Sequence, residues 1–196
     1  MTHPVSPRFV PERTPPTVRD LRWSDADPFI DMYWGLYEER RDGQPIGITL
    51  FAERPSRSDE VAWFASLYRK ALDGESIVVV AECDGRPAGH CEIWPVRPGP
   101  TSETSHVGEL GIVVDRPFRG RGCGTALLRA ALARARGKFE VVRLSVFATN
   151  ARAQRLYERF GFATVGRFPA AIRRGGEYID EVLMFVDLRA APAPSP

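Results

Sequence analysis

Val113-Val114-Asp115-Arg116-Pro117-Phe118-Arg119-Gly120-Arg121-Gly122-Cys123-Gly124-Thr125 is the stretch on which the reading of this chain turns. An apolar run ends there, glycines occupy positions 120, 122 and 124, and an amphipathic segment follows at once. Leu127, Leu128, Ala131, Leu132 and Ala135 recur at helical spacing and Gly137 stops the pattern. The spacing predicts a strand, a tight turn and a helix over Thr125 to Arg136. Glycine lets the backbone approach a ligand closely, and the free amides at a helix start carry partial positive charge. Together they form an anion site suited to a phosphate or pyrophosphate. The Walker spacing is absent, since no Gly-Lys-Ser/Thr follows, and so is the third glycine of the dinucleotide fingerprint. Seven basic side chains and no acid lie between Arg116 and Lys138, a local bias that suits a phosphate-bearing ligand and equally a solvated helix face.

Outward from that turn the pattern alternates. Downstream come a strand (Val141 to Val146), a helix (Ala151 to Phe160) between the N-cap Asn150 and the stop Gly161, a strand from Ala163 and a last strand over Tyr178 to Leu188. Upstream, Ile77 to Ala81 is a continuous apolar run, and Asp84-Gly85 is a two-residue hairpin signal that makes Ala88 to Val96 antiparallel to it. A loop with Pro98, Gly99 and Pro100 leads to the strand His106 to Val114. Nearer the N-terminus, Thr17 to Arg22 alternates weakly, Ser24 caps a helix reaching Glu39, and Ser58 caps a second helix that Gly74 ends. Hairpins in the middle and strand–helix alternation afterwards argue for one mixed α/β sheet flanked by helices.

With 196 residues, 43% hydrophobic and 27% charged, the chain reads as one soluble globular domain over residues 17–188. Residues 1–16 and 189–196, rich in proline, read as disordered tails. A net charge of +2 argues for neither nucleic acid nor a membrane surface. No apolar run is long enough to span a bilayer, and the N-terminus lacks a signal-peptide core, so a cytoplasmic location is expected. Cys83, Cys91 and Cys123 have no metal spacing and read as reduced small hydrophobes.

The run Arg119-x-x-Gly122-x-Gly124, with its preceding strand and following Leu-Leu helix, resembles the acetyl-CoA signature of the GNAT N-acetyltransferase superfamily. Asn150-Ala151-Arg152-Ala153-Gln154-Arg155-Leu156-Tyr157, closed by Gly161-Phe162, resembles that superfamily's second block. The resemblance implies a GNAT-like α/β domain, a mostly antiparallel sheet of about six to seven strands opening into a V, with helices on both faces. It implies acetyl-CoA as co-substrate and a primary amine as acceptor: a small molecule, amino acid, polyamine or protein N-terminus. It also admits a homodimer. A non-catalytic acyl-CoA-binding regulator is the alternative.

By the same resemblance the amides of Arg119, Gly120, Arg121, Gly122, Cys123, Gly124 and Thr125 hold the pyrophosphate, and the main chain of Ile112, Val113 and Val114 pairs with the pantetheine arm. Asn150 and Tyr157, two turns and about 10 Å apart, address one extended ligand, Asn150 near the pantetheine and Tyr157 protonating the thiolate. An amide near Val113 polarises the carbonyl. Glu109 is the first candidate for the base, in an apolar setting that raises a carboxyl pKa, with Gly108 and Gly111 marking a bulge. His90 and His106 are lesser options. Acceptor contacts are expected from Arg40 to Ser58 and from the last hairpin, with Phe51, Arg173, Arg174, Tyr178, Asp180 and Glu181 as wall residues.

Overall fold

Val78, Val79 and Val80 leave no polar face, and the structure, a computed structural model that describes residues 14–97 and 102–190, buries all three inside a sheet. Of the expected tails, 1–16 and 189–196, residues 1–13 and 191–196 lie outside the described residues, as do Pro98, Gly99 and Pro100. In chain order come β1 (Thr17–Asp20), a 3-10 turn (Trp23–Asp25), α1 (Ala26–Arg41), α2 (Arg57–Leu72), β2 (Ile77–Cys83) and β3 (Arg86–Pro95). There follow β4 (Val107–Val114), a second 3-10 turn (Arg116–Phe118), α3 (Cys123–Ala135), β5 (Val141–Phe147), α4 (Ala151–Arg159), β6 (Ala163–Arg174) and β7 (Glu177–Asp187). The described strands form one sheet in the order β1-β2-β3-β4-β5-β7-β6, antiparallel throughout except at β4–β5. At the hairpin between β2 and β3, Asp84 and Gly85 both take positive φ, 54° and 72°, as a two-residue primed turn requires.

Each face of the sheet has its own core. α3 and α4 cover one, with Leu127, Leu128, Tyr157 and Phe162 against Val79, Ile93, Leu110 and Val142. α1 and α2 cover the other, where Phe29, Leu36, Phe64 and Leu67 meet Val78, Val80 and Val113. Phe29 stands edge-on to Phe64 at 5.6 Å and stacks on His90 at 4.8 Å. Among the described residues no helix is long and apolar enough to cross a membrane.

The helix starts differ from the sequence expectation. Ser24 lies inside the first 3-10 turn, and α1 begins at Ala26. Asp25 is 2% exposed there, accepts the Arg22 amide at 2.8 Å and holds the Arg19 guanidinium through two bonds of 2.8 Å. Ser56, not Ser58, caps α2: its hydroxyl accepts the Asp59 amide while Asp59 reaches back to the Ser56 amide, a reciprocal box. α3 starts at Cys123, two residues before the expected Thr125, because left-handed Gly122 turns the chain into the helix at the position just before it.

Candidate active site

The site begins where two parallel strands part. β4 and β5 pair only over Val107–Glu109 and Val141–Arg143, whereas β5 continues beside β7 as far as Phe147. Beyond that short ladder the β5-facing edge of β4 is open. Val107 and Asp115 make their ladder bonds to β3, as the Val96 amide to Val107 and the Asp115 amide to Ala88 show. Alternation therefore turns the main-chain groups of Leu110, Ile112 and Val114 toward the gap, and those of Val113 toward β3. This corrects one expectation: the Val113 amide does not point into the gap, and its neighbours do.

A second correction concerns the glycines of β4. The β3–β4 register runs without a shift from Gly108 to Val114, so no bulge is present there. A Cβ on Gly108 would lie 2.7 Å from Ile93 and 3.1 Å from the Phe139 ring, and one on Gly111 would lie 3.1 Å from the Trp94 ring. Close packing, not a bulge, accounts for both.

Glu109 and Arg143 form the last pair before the strands part, joined at 3.0 Å on the face covered by α1 and α2. The carboxylate is half-buried beside a guanidinium, where an apolar setting was expected. Among the other bases considered, His106 is exposed, and His90 is 4% exposed with its pKa pushed down to about 4 by burial. His90 Nε2 lies 3.4 Å from the Tyr33 hydroxyl and its Nδ1 has no partner among the described residues.

At the other end of β4 lies the glycine turn. Gly120 and Gly122 have φ of 82° and 87°, a region in which a Cβ is strained. Gly122 has no side chain with which to cap α3, so the first amides of the helix keep no internal partner. The turn is thus an anion cradle and fits a pyrophosphate. The side chains around it are otherwise engaged: Arg119 donates to both Glu39 oxygens, at 2.6 and 2.9 Å, and to the Val114 carbonyl at 2.9 Å. Arg121 pairs with Asp84 at 2.8 Å, Arg134 with Asp20, and Arg136 donates to the Leu188 carbonyl. Much of the basic run therefore ties the fold together. Cys123, read as a small hydrophobe, is buried 3.2 Å from the Cys83 sulfur, and burial followed by that thiol pushes its pKa up to about 12.

Sequence reasoning missed Arg152. A Cβ on Gly120 would lie 3.5 Å from its Nη2, so this α4 guanidinium stands at the glycine turn. Its signal was present, two residues past the cap Asn150 and free of any pattern requiring burial. The Asn150 side-chain oxygen Oδ1 accepts the Ala153 amide at 3.1 Å, and its side-chain Nδ2 would lie 2.2 Å from a Cβ on Gly47 of the α1–α2 loop. Tyr157 is 6% exposed, 5.7 Å from the Phe162 ring. Burial, with a contribution from Cys91, pushes its phenol well above the ordinary range and keeps it a neutral donor. Cys91 is the register partner of Ile112, which sets the phenol at the level of the open edge.

On the α1–α2 face an open cleft of about 1540 Å³ lies between residues 43–54 and the β6–β7 hairpin. Arg173, Arg174 and Tyr178 line it as expected. Phe51, Asp180 and Glu181 do not: Asp180 holds Arg167 and the Ala170 amide, and Glu181 accepts the Ser145 hydroxyl.

The sequence pattern of the Acetyltransferase (GNAT) family matches residues 48–162. This chain belongs to the GNAT acetyltransferase family. Its GNAT relatives include an L-amino acid N-acetyltransferase of Escherichia coli, 35% identical over 108 residues that cover 54% of this chain and 65% of that one. An L-methionine sulfoximine/L-methionine sulfone acetyltransferase of Pseudomonas aeruginosa is 29% identical over 137 residues, covering 67% of this chain and 76% of the relative. The chain thus spans just under two thirds of the Escherichia coli protein's length. In fold it matches yncA from Salmonella typhimurium, solved with acetyl-CoA, at a TM-score of 0.74 and 21% identity, over 93% of this chain and 99% of that one. The expected α/β fold, with helices on both faces of an open sheet, is the one observed.

Proposed function

We propose that this protein transfers an acetyl group from acetyl-CoA to a primary amine. The observation that carries this reading is the fork of β4 and β5: it opens between a carboxylate at its apex, Glu109, and the uncapped start of α3. The amides of Gly120 and of Gly122 to Thr125, with Arg152, would hold the pyrophosphate, those of Arg119 and Arg121 being taken up by the Arg116 and Phe118 carbonyls; the main chain of Ile112 and the Val114 amide would pair with the pantetheine arm. Family membership and the acetyl-CoA in the structural neighbour support that assignment.

Bound there, acetyl-CoA supplies an activated acyl thioester. An amine at neutral pH is mostly protonated and attacks only as the free base. Glu109, at the fork on the acceptor face, takes that proton directly or through water, and Arg143 fixes its orientation. The amide of Ile112 or Val114 polarises the carbonyl. Tyr157, kept protonated by burial, gives its proton to the departing sulfur. The products are the N-acetyl amine and the free thiol.

Thermal shift with acetyl-CoA, coenzyme A, ATP and NAD, followed by thiol release with a panel of amines, tests the reading. Selective stabilisation by acetyl-CoA and amine-dependent thiol release are expected. Stabilisation by ATP or NAD without acetyl-CoA, or tight acetyl-CoA binding with no amine turned over, refutes it.

A further inference from the structure

Transfer to an amine requires no net charge in the acceptor cleft, yet this cleft has one. Five guanidinium groups line it, Arg40, Arg41, Arg54, Arg173 and Arg174, against a single carboxylate, Glu38. Glu38 pairs with Arg41 one turn along α1, so those two cancel. The other four meet no carboxylate among the described residues. Arg40 donates to the carbonyls of Phe51 and Ala52, both at 2.8 Å, and Arg174 to those of Ile46 and Ile48 at 2.9 and 2.8 Å. Arg54 lies over the Trp34 ring at 4.4 Å. Carbonyl dipoles and a π face hold these cations in position and leave their charge in place. Burial pushes the Arg174 pKa down, and the nearby Arg40 adds to the shift. Glu53 and Glu177, chain neighbours of Arg54 and Tyr178, do not line the cleft.

Arg173 differs from the other three. It is exposed on β6 opposite Tyr178, and its side chain makes no hydrogen bond, ion pair or ring contact among the described residues. Its planar fork is free to take a carboxylate through two bonds, with Arg54 across the cleft as a second cation.

Resting on the acetyl-transfer reading, we infer that the acceptor is a small amine bearing a carboxylate, and that Arg173 is the side chain that binds it. Polyamines are disfavoured by the same charges, since a second ammonium group would enter a field of four uncompensated cations.

The test compares L-amino acids with their amides, their decarboxylated amines and spermidine, by thiol release at saturating acetyl-CoA. A peptide with an acidic N-terminal segment forms a further arm. The free acids are expected to exceed their amides and amines by about 100-fold in kcat/KM, with spermidine and the peptide inert; a bidentate carboxylate pair lost from a site has effects of that order. Arg173→Gln is expected to reduce kcat/KM for the acids about 30-fold, through KM, and to leave the amides within about twofold; Arg173→Lys restores part of the loss. Because Arg173 is exposed, neither change threatens folding. Preferential turnover of amides, amines, spermidine or the peptide overturns the inference, as does an Arg173→Gln enzyme that handles acids like the parent. Failure of the parent enzyme to bind acetyl-CoA would instead overturn the reading on which the inference rests.

Discussion

The glycine turn and the cleft proposed for the acceptor are built by the chain in different ways. The turn and the strand before it are contiguous, residues 107 to 125, and present mainly backbone: open amides, left-handed glycines and an uncapped helix end. The cleft is assembled from α1, the α1–α2 loop and the β6–β7 hairpin, and the bond from Arg174 to Ile46 joins positions 128 residues apart. A site made of local backbone can serve a common ligand in any member of the fold. One made of distant side chains can be changed without disturbing that ligand, and substrate choice belongs there. If this division holds, substitutions on the two sides should separate chemistry from acceptor binding.

The largest separation should come from Tyr157→Phe. Removing the hydroxyl while keeping the buried ring should reduce kcat by about 10²- to 10³-fold and leave acetyl-CoA binding nearly unchanged. A variant within twofold of the parent would make Tyr157 a core aromatic only. Because burial raises this phenol's pKa, the parent's rate should show no loss from Tyr157 ionisation as pH rises to 10.

The acceptor-side core should titrate where the turn does not. His90 has a folded pKa of about 4 against an unfolded value near 6.5, so the unfolded chain binds more protons in that window. Stability from this group is therefore complete above about pH 6.5 and lost as pH falls toward 4, by at most about 3 kcal/mol. Glu60 and Glu92, raised by burial, act in the opposite sense. The reading is accordingly the difference between parent and His90→Phe in denaturant unfolding: the variant should lose less stability from pH 6.5 to 4, and equal slopes would exclude His90.

One side chain joins the two regions. Arg119 binds Glu39 of α1 and the Val114 carbonyl at the end of β4, with Glu39 only 5% exposed. Arg119→Gln strands that carboxylate and should cost about 2 kcal/mol, below the figure for a fully buried pair because Arg119 is itself a third exposed. Glu39→Gln in the same chain should recover part of the loss. Additive costs would show that the pair does not couple the regions.

This difference in construction also sets what could be read in advance. The turn, its helix and Asn150–Tyr157 were legible because glycine spacing and helix periodicity are local signals. The open edge was legible only by resemblance, since the parting of β5 from β4 depends on pairing with β7, far along the chain. Which amides face the gap follows from ladder alternation, so Val113 was misassigned. Partners of the basic run, Glu39, Asp84 and Asp20, lie 37 to 114 residues away, beyond any local pattern. Arg173 and Arg174 are adjacent and alike in sequence; only the fold gives one two loop carbonyls and leaves the other's side chain without a partner among the described residues.

The smallest effect tests where the acceptor-side loop ends. Ser56 and Ser58 both precede an acid-rich helical start, and sequence favours neither by residue type. In the structure the Ser56 hydroxyl accepts the Asp59 amide at 3.2 Å and donates to the Asp59 carboxylate at 2.6 Å, whereas the Ser58 hydroxyl meets only that of Ser56, at 2.8 Å. Ser56→Ala should therefore cost about 1 kcal/mol, and Ser58→Ala no more than about 0.5, in parallel denaturant titrations. Neither residue touches the glycine turn, so acetyl-CoA affinity should be the same in both. Equal costs would mean that the cap does not fix this end of the loop, and that Arg40 and Arg174, gripping four of its carbonyls, hold it alone.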